Sequence, residues 1–239
     1  MRYLLILILV FLTGCGAKQD VLEVFYVPHA DDEVLSMGPA IVKAIDESKN
    51  IHIILLSEGK ASKAIHNINK RLDEEGIDSL NTAEFGQARV QEFKDAVQAL
   101  GVKESSITIL DLPDGKITKE DINELMMRKE KEHHHVIHHV MSDLDPHSDH
   151  AATGEALRQL LHDKVVEHGK FYLPIQEHDK LPYQDSAKAS SKQERQRVLK
   201  ALDAYGVWEP ENKNYSIGQI SVPKYFQTAR KSFESKYHH

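Results

Sequence analysis

The feature that most constrains the fold is the alternation of short β-branched and aromatic runs with longer stretches of helical spacing. Residues 21–27 end at Pro28 and read as a buried strand. Residues 51–56 stop at Ser57-Glu58-Gly59, and residues 107–112 at Pro113-Asp114-Gly115, as second and third strands. Residues 133–141 and 170–175 read as the fourth and fifth. Helical periodicity covers 33–48, 88–100, 117–131, 151–168 and 192–205, with Gly101 placed to cap the second of these. The polar stretch 60–83 reads as helix plus mobile loop, and 176–191 as a surface excursion. This order predicts an α/β fold with a mostly parallel sheet of about five to seven strands, covered on both faces. At 239 residues and 41% hydrophobic content, the chain fits one such domain.

The first twenty residues stand outside that pattern. Met1-Arg2 precedes an apolar run over residues 3–12, half the length of about 20 that spans a bilayer. Leu12-Thr13-Gly14-Cys15 follows, and it resembles the lipobox of bacterial lipoprotein signal peptides. The expectation is a signal peptide over 1–14, lipidation at Cys15, a tether over 15–20 and a globular domain over 21–239. That predicts an exported protein attached to the cell membrane by its lipid. Cys15 is the only cysteine, which excludes an intramolecular disulfide and any cysteine-based zinc finger. A net charge of -7, with both signs interspersed, gives no support to nucleic-acid binding. Nothing in the sequence specifies an oligomeric state.

In open α/β sheets, ligands collect beyond the C-terminal ends of the strands. Four polar groups follow strand ends here: His29 with its neighbours, Glu58, Asp114, and the segment His147-Ser148-Asp149-His150. His29 and Asp32 are three apart where strand gives way to helix, a spacing that shares one helix face. His150 would complete a three-ligand nitrogen and oxygen set, the kind that holds catalytic zinc with a fourth position open. Asp31, beside a ligand but directed elsewhere, is placed to act as a general base toward water. His147, three before His150, can face the same pocket. Each segment alone has a plainer reading: Asp-Asp-Glu as helix-capping carboxylates, and His147 to His150 as a turn after Pro146. Their joint placement at strand ends favours the metal.

The same residues carry a resemblance to a known family. Pro28-His29-Ala30-Asp31-Asp32-Glu33 resembles the (A/P)HPDDE motif of the GlcNAc-phosphatidylinositol de-N-acetylase-like family, also called PIG-L or LmbE-like. His147-Ser148-Asp149-His150 resembles its HxDH signature. Arg89-Val90-Gln91-Glu92, Leu100-Gly101-Val102 and Leu112-Pro113-Asp114-Gly115 lie between them in the family's order. Ala30 replaces the usual proline, and the tyrosine that some members carry ahead of the second motif is missing.

The resemblance implies a Rossmann-like three-layer fold and hydrolysis of an N-acetyl group from an acetamido sugar or glycan. It implies Zn2+ on His29, Asp32 and His150, with Asp31 as base. His147 would stabilise the oxyanion or protonate the departing amine, and Asp149 would orient His147 or a ligand. Glu58, Arg89 and Asp114 are candidates for binding sugar hydroxyls, Arg89 equally for pairing with Glu92 or Glu58. Two alternatives are a lipid-anchored carbohydrate- or metal-binding protein on this fold, and a zinc hydrolase of another amide or ester.

Three features point less sharply. The five histidines of the run 133–139 alternate faces if the run is a strand, so they cannot share one site. Their polarity predicts an edge strand or a half-exposed face. His238-His239 is expected to fray. Trp208 suits packing under the C-terminal segment, or a sugar subsite.

Overall fold

Six consecutive buried residues begin the domain: β1 (Leu22–Val27) turns Val24 and Tyr26 to one face and Phe25 and Val27 to the other. A strand apolar on both faces needs cover on both, which is why the sheet is sandwiched by helices. The structure, a computed structural model, describes residues 21–47 and 49–239. The expected signal peptide, the tether and the Cys15 lipidation site lie outside the described residues.

After β1 come α1 (Asp32–Leu35), α2 (Gly38–Asp46), β2 (Asn50–Leu55), α3 (Ala64–Glu74), α4 (Thr82–Leu100), β3 (Ile107–Ile109) and α5 (Lys119–Glu132). Then follow β4 (Val136–Met141), α6 (Ser148–His162), β5 (Gly169–Tyr172), β6 (Asp185–Lys188) and α7 (Lys192–Ala204). The C-terminal part adds β7 (Trp208–Glu209), β8 (Asn214–Tyr215), α8 (Ile217–Ser221), α9 (Pro223–Ser232) and β9 (Glu234–His238). The main sheet has seven strands in the order β3-β2-β1-β4-β5-β9-β6, and β7 and β8 form a separate ribbon. The five strands from β3 to β5 are parallel, whereas β9 runs antiparallel to both β5 and β6. The expected three-layer α/β fold is therefore present.

Caps explain several helix limits. Asn81 with Glu84, Thr118 with Asp121, and Ser191 with Glu194 form capping boxes at the starts of α4, α5 and α7. Gly101 closes α4 in the left-handed region at φ 104°, as expected.

The structure corrects the sequence reading in five places. The helix expected over 33–48 is broken at Ser36-Met37. Pro39 lies in the first turn of α2, where its missing N–H does no harm. It cannot continue a helix from four residues back, and α1 ends at Leu35. The strand expected from His133 starts at Val136, because α5 runs on to Glu132. This strand is not an edge: β4 lies between β1 and β5, with His138 and His139 fully buried on opposite faces. The excursion over 176–191 contains β6, and the C-terminal end does not fray. His238 is buried in β9, stacked on Phe171 and bonded to Ser142 Oγ at 2.7 Å, while His239 is exposed.

Candidate metal centre and active site

The site lies where β1, β3 and β4 end. Beyond β1, Asp31 caps α1 with its carbonyl, which accepts from Val34 N and Leu35 N. Its φ of 125° is rare for any residue with a side chain, and such strain costs about 1–3 kcal/mol. Among the contacts that hold the turn, Asp32 Oδ2 accepts from His29 N at 3.1 Å, and Arg89 donates to the Ala30 carbonyl at 3.0 Å. Beyond β4, Gly154 of α6 lets the helix press against the loop that follows the strand. A Cβ there would meet Asp143 N at 2.2 Å.

Three atoms converge. His29 Nδ1 lies 3.3 Å from His150 Nε2 and 3.7 Å from Asp32 Oδ2, and the latter two are 3.1 Å apart. Ligands at about 2.0–2.1 Å around a tetrahedral zinc stand roughly 3.3–3.4 Å from one another. The opposite ring nitrogens show why a cation belongs there. His29 Nε2 faces Asp149 Oδ2 at 3.0 Å and Asp114 Oδ1 at 3.3 Å, while His150 Nδ1 faces Asp145 Oδ2 at 2.7 Å. Carboxylates only accept, so each ring donates outward and turns a lone pair inward. Two imidazole lone pairs and a carboxylate oxygen then meet with no donor between them. Either an added proton or a metal ion must relieve that repulsion.

The electrostatics agree. Burial alone would lower both histidines. Instead Asp114, Asp149 and Asp32 push His29 well above its ordinary value, and Asp32 and Asp145 push His150 to about 9. These rings sit in a field that favours positive charge. Despite burial, the His150 and His29 rings hold Asp32 well below the usual carboxylate range. Asp31, by contrast, is pushed up to about 7 by burial and by the Asp32 charge beside it.

His147 is exposed, and its ring packs 4.9 Å from that of His29 and 4.6 Å from that of His150. Its Nδ1 accepts from Asp149 N at 3.3 Å, which leaves the proton of the neutral ring on Nε2. Partial desolvation of the ring, with His150 and His29 nearby, pushes its pKa down. Asp149 is fully buried and accepts from Gly115 N and Ile117 N as well as from His29. Its carboxylate orients His29, not His147.

Asp145 escaped the sequence reading. It accepts from His150 with one oxygen and from His147 N at 2.8 Å with the other, so one carboxylate sets both histidines of the second segment. Its signal was a carboxylate just ahead of Pro146, which passes equally for a turn residue.

A cleft of about 380 Å³ opens over these groups, with Asp31, Arg89, Asp114 and His147 on its walls. Asp114 is partly committed, since Oδ2 accepts from Ala61 N at 2.8 Å. Arg89 is buried, and Gly59 makes room for it: a Cβ on Gly59, whose φ is +71°, would lie 2.5 Å from Arg89 Nε. Glu92, one turn further along α4, accepts from Ile217 N at 2.7 Å and Gly218 N at 3.1 Å, anchoring α8. Ser221 and Val222, at the far end of α8, form part of the cleft wall with Tyr225 and Gln176. Glu58 does not join the cleft wall; its carboxylate pairs with Lys60 at 3.0 Å. Trp208 packs in a third apolar cluster with Arg71 over its ring, also away from the cleft.

Over residues 24–161, more than half of the chain, the sequence matches the family model PIG-L, described as GlcNAc-PI de-N-acetylase. The chain belongs to the PIG-L family. No curated protein matches it in sequence. Three solved structures show what the fold of this PIG-L protein is similar to. The zinc-inhibited form of teicoplanin deacetylase Orf2 has a TM-score of 0.63 at 16% identity, with 91% of this chain and 96% of that one covered. N,N'-diacetylchitobiose deacetylase from Pyrococcus horikoshii has a TM-score of 0.55 at 17% identity, covering 92% and 84%. GalB, the 4-carboxy-2-hydroxymuconate hydratase of Pseudomonas putida, has a TM-score of 0.57 at 16% identity, covering 91% and 95%. At these identities the likeness establishes the fold, and a hydratase among the three shows that this fold carries more than one chemistry.

Proposed function

We propose that this PIG-L protein is a zinc-dependent hydrolase that removes the N-acetyl group from an N-acetylglucosamine-type sugar or conjugate. The observation that carries the reading is the convergence of His29 Nδ1, Asp32 Oδ2 and His150 Nε2, each histidine clamped from behind by a carboxylate. Those three atoms hold the metal. When bound, zinc supplies a Lewis acid that lowers the pKa of water toward 7 and polarises an amide carbonyl. Asp31, on the cleft wall next to a ligand and with its pKa raised, accepts the proton of the attacking water. The neutral His147 ring donates a hydrogen bond from Nε2 to the tetrahedral oxyanion, and Asp31 passes the proton it took from water to the departing amine, so that acetate and a free amino sugar leave. Arg89 and Asp114 face the sugar hydroxyls across the cleft.

Acetate release from a panel of N-acetylglucosamine conjugates, with and without chelator, tests the reading. Activity that survives complete metal removal rejects zinc. A panel that yields no acetate, while other amides are cleaved, rejects the acetamido sugar.

The same proposal places the protein outside the cytoplasm, on the membrane through a lipid at Cys15. Among the described residues no helix is long and apolar enough to cross a membrane. Radiolabelled lipid should be incorporated by the natural chain and not by Cys15→Ala; equal labelling would remove Cys15 as the site.

A further inference from the structure

We infer that Glu33 and Tyr205 form a strut that holds the Asp31 turn in its productive shape, so that the C-terminal part of the chain sets the geometry of the metal and base. The inference rests on the proposed roles of Asp31 and Asp32.

Asp31 keeps a backbone conformation that an L-residue rarely adopts, and such a conformation persists only where its surroundings over-determine it. Arg89 fixes the carbonyl side of the preceding residue. The amide side is fixed by Glu33, whose Oε2 accepts from Asp31 N at 3.0 Å. Glu33 is fully buried and does not line the cleft, so its carboxylate does not meet the substrate. Its other oxygen accepts the Tyr205 hydroxyl at 2.6 Å, across 172 residues of chain.

Tyr205 is itself gripped. Its carbonyl accepts from Gln219 N and from Ser216 Oγ, and its ring packs 5.5 Å from that of Phe226. A Cβ on Gly218 would reach 2.5 Å from Tyr205 Cδ1, so only glycine lets α8 close on the ring. The hydroxyl is thereby a fixed point. From it a rigid line runs through the Glu33 carboxyl to the Asp31 amide. Tyr205 lies beyond the residues 24–161 matched by the family model, which leaves this part of the site to the chain's own C-terminal segment.

A strut and a charge make opposite demands on glutamine. In Glu33→Gln the amide oxygen still accepts from Asp31 N and the NH2 donates to the Tyr205 oxygen, so both bonds survive without the charge. Glu33→Ala removes both bonds, and Tyr205→Phe removes only the far one.

The test measures zinc affinity by competition with a chelating dye, and kcat and KM for acetate release from N,N'-diacetylchitobiose. Glu33→Ala should bind zinc about 10–100-fold more weakly and lose kcat on the same scale, with KM changed less than about twofold. Tyr205→Phe should lose less in both, and Glu33→Gln should stay within about threefold of the natural protein. Natural zinc affinity and kcat in Glu33→Ala would overturn the strut. So would a Glu33→Gln variant as impaired as Glu33→Ala, which would assign the effect to charge. Should Glu33→Ala fail to fold, natural values in Tyr205→Phe overturn it instead. Asp31→Asn separates this from the parent reading. An active Asp31→Asn removes the base, while the zinc affinities still judge the strut.

Discussion

Two groups of histidines lie within and beyond the same sheet and have opposite fates. At the C-terminal rim, His29, His147 and His150 crowd around one cleft, with carboxylates behind two of the rings and lone pairs turned toward each other. Within the sheet, His138, His139 and His238 are each consumed by a local partner. His138 bonds Tyr26 and Glu130, His139 bonds the Tyr172 hydroxyl and stacks on Phe25, and His238 bonds Ser142. The difference teaches that a histidine-rich sequence makes a metal centre only where ring nitrogens converge with their lone pairs unspent.

The largest way to break this comparison is at the rim. Asp31→Asn should retain zinc and lose about 10²–10⁴-fold in kcat, whereas His29→Ala and His150→Ala should lose the metal itself. Elemental analysis beside acetate release checks both, and an equally active Asp31→Asn removes the base. The sheet histidines should leave metal content alone, so zinc lost in His138→Phe would erase the distinction.

The next effect belongs to the sheet. Burial holds the His139 ring down at about 4, against 6.5 for a free histidine, even with Glu23 facing it at 3.3 Å. Lys170 and His138 also act on it, and both keep it neutral. Its folded pKa is depressed, so between pH 6.5 and 4 the unfolded chain takes a proton that the folded one refuses. The His139 contribution to stability therefore falls as pH falls through that window, by up to about 3 kcal/mol at its acid end. Denaturant melts across the window should show His139→Phe gaining on the natural protein as pH falls. A stability difference that does not change with pH would remove His139 as its source.

Smaller again is the clamp on His150. Asp145→Asn should weaken zinc by about 10–100-fold and leave the fold intact, read by chelator competition. Unchanged affinity would mean that Asp145 only shapes the loop. The smallest effect expected is that of Ser142→Ala, which removes the His238 bond. It should cost about 1 kcal/mol, a fall in Tm of roughly 2–4 °C, with zinc content unchanged.

Much of the site was legible because its members are close in sequence. His29, Asp31 and Asp32 occupy one turn after a strand, and His147, Asp149 and His150 another, so spacing alone placed them on one rim. The break at Ser36-Met37 was also written in the sequence, in Pro39, but was hidden by apolar spacing that runs across it. Glu58 shows the limit: it follows a strand end as expected, yet Lys60 takes its carboxylate.

What the sequence determined by itself is therefore local: the alternation of strand and helix, the caps, and the short segments that carry the proposed metal ligands. Periodicity and capping act over a few residues, and the chain records them directly. Only the tertiary structure decided that Asp149 serves His29 across 120 residues and that Tyr205 reaches Glu33 across 172. It also decided that β9 enters between β5 and β6, burying His238. A hydrogen bond between distant residues has no local pattern to announce it; its partners are chosen when helices and strands pack and each buried polar group must find whatever lies within reach.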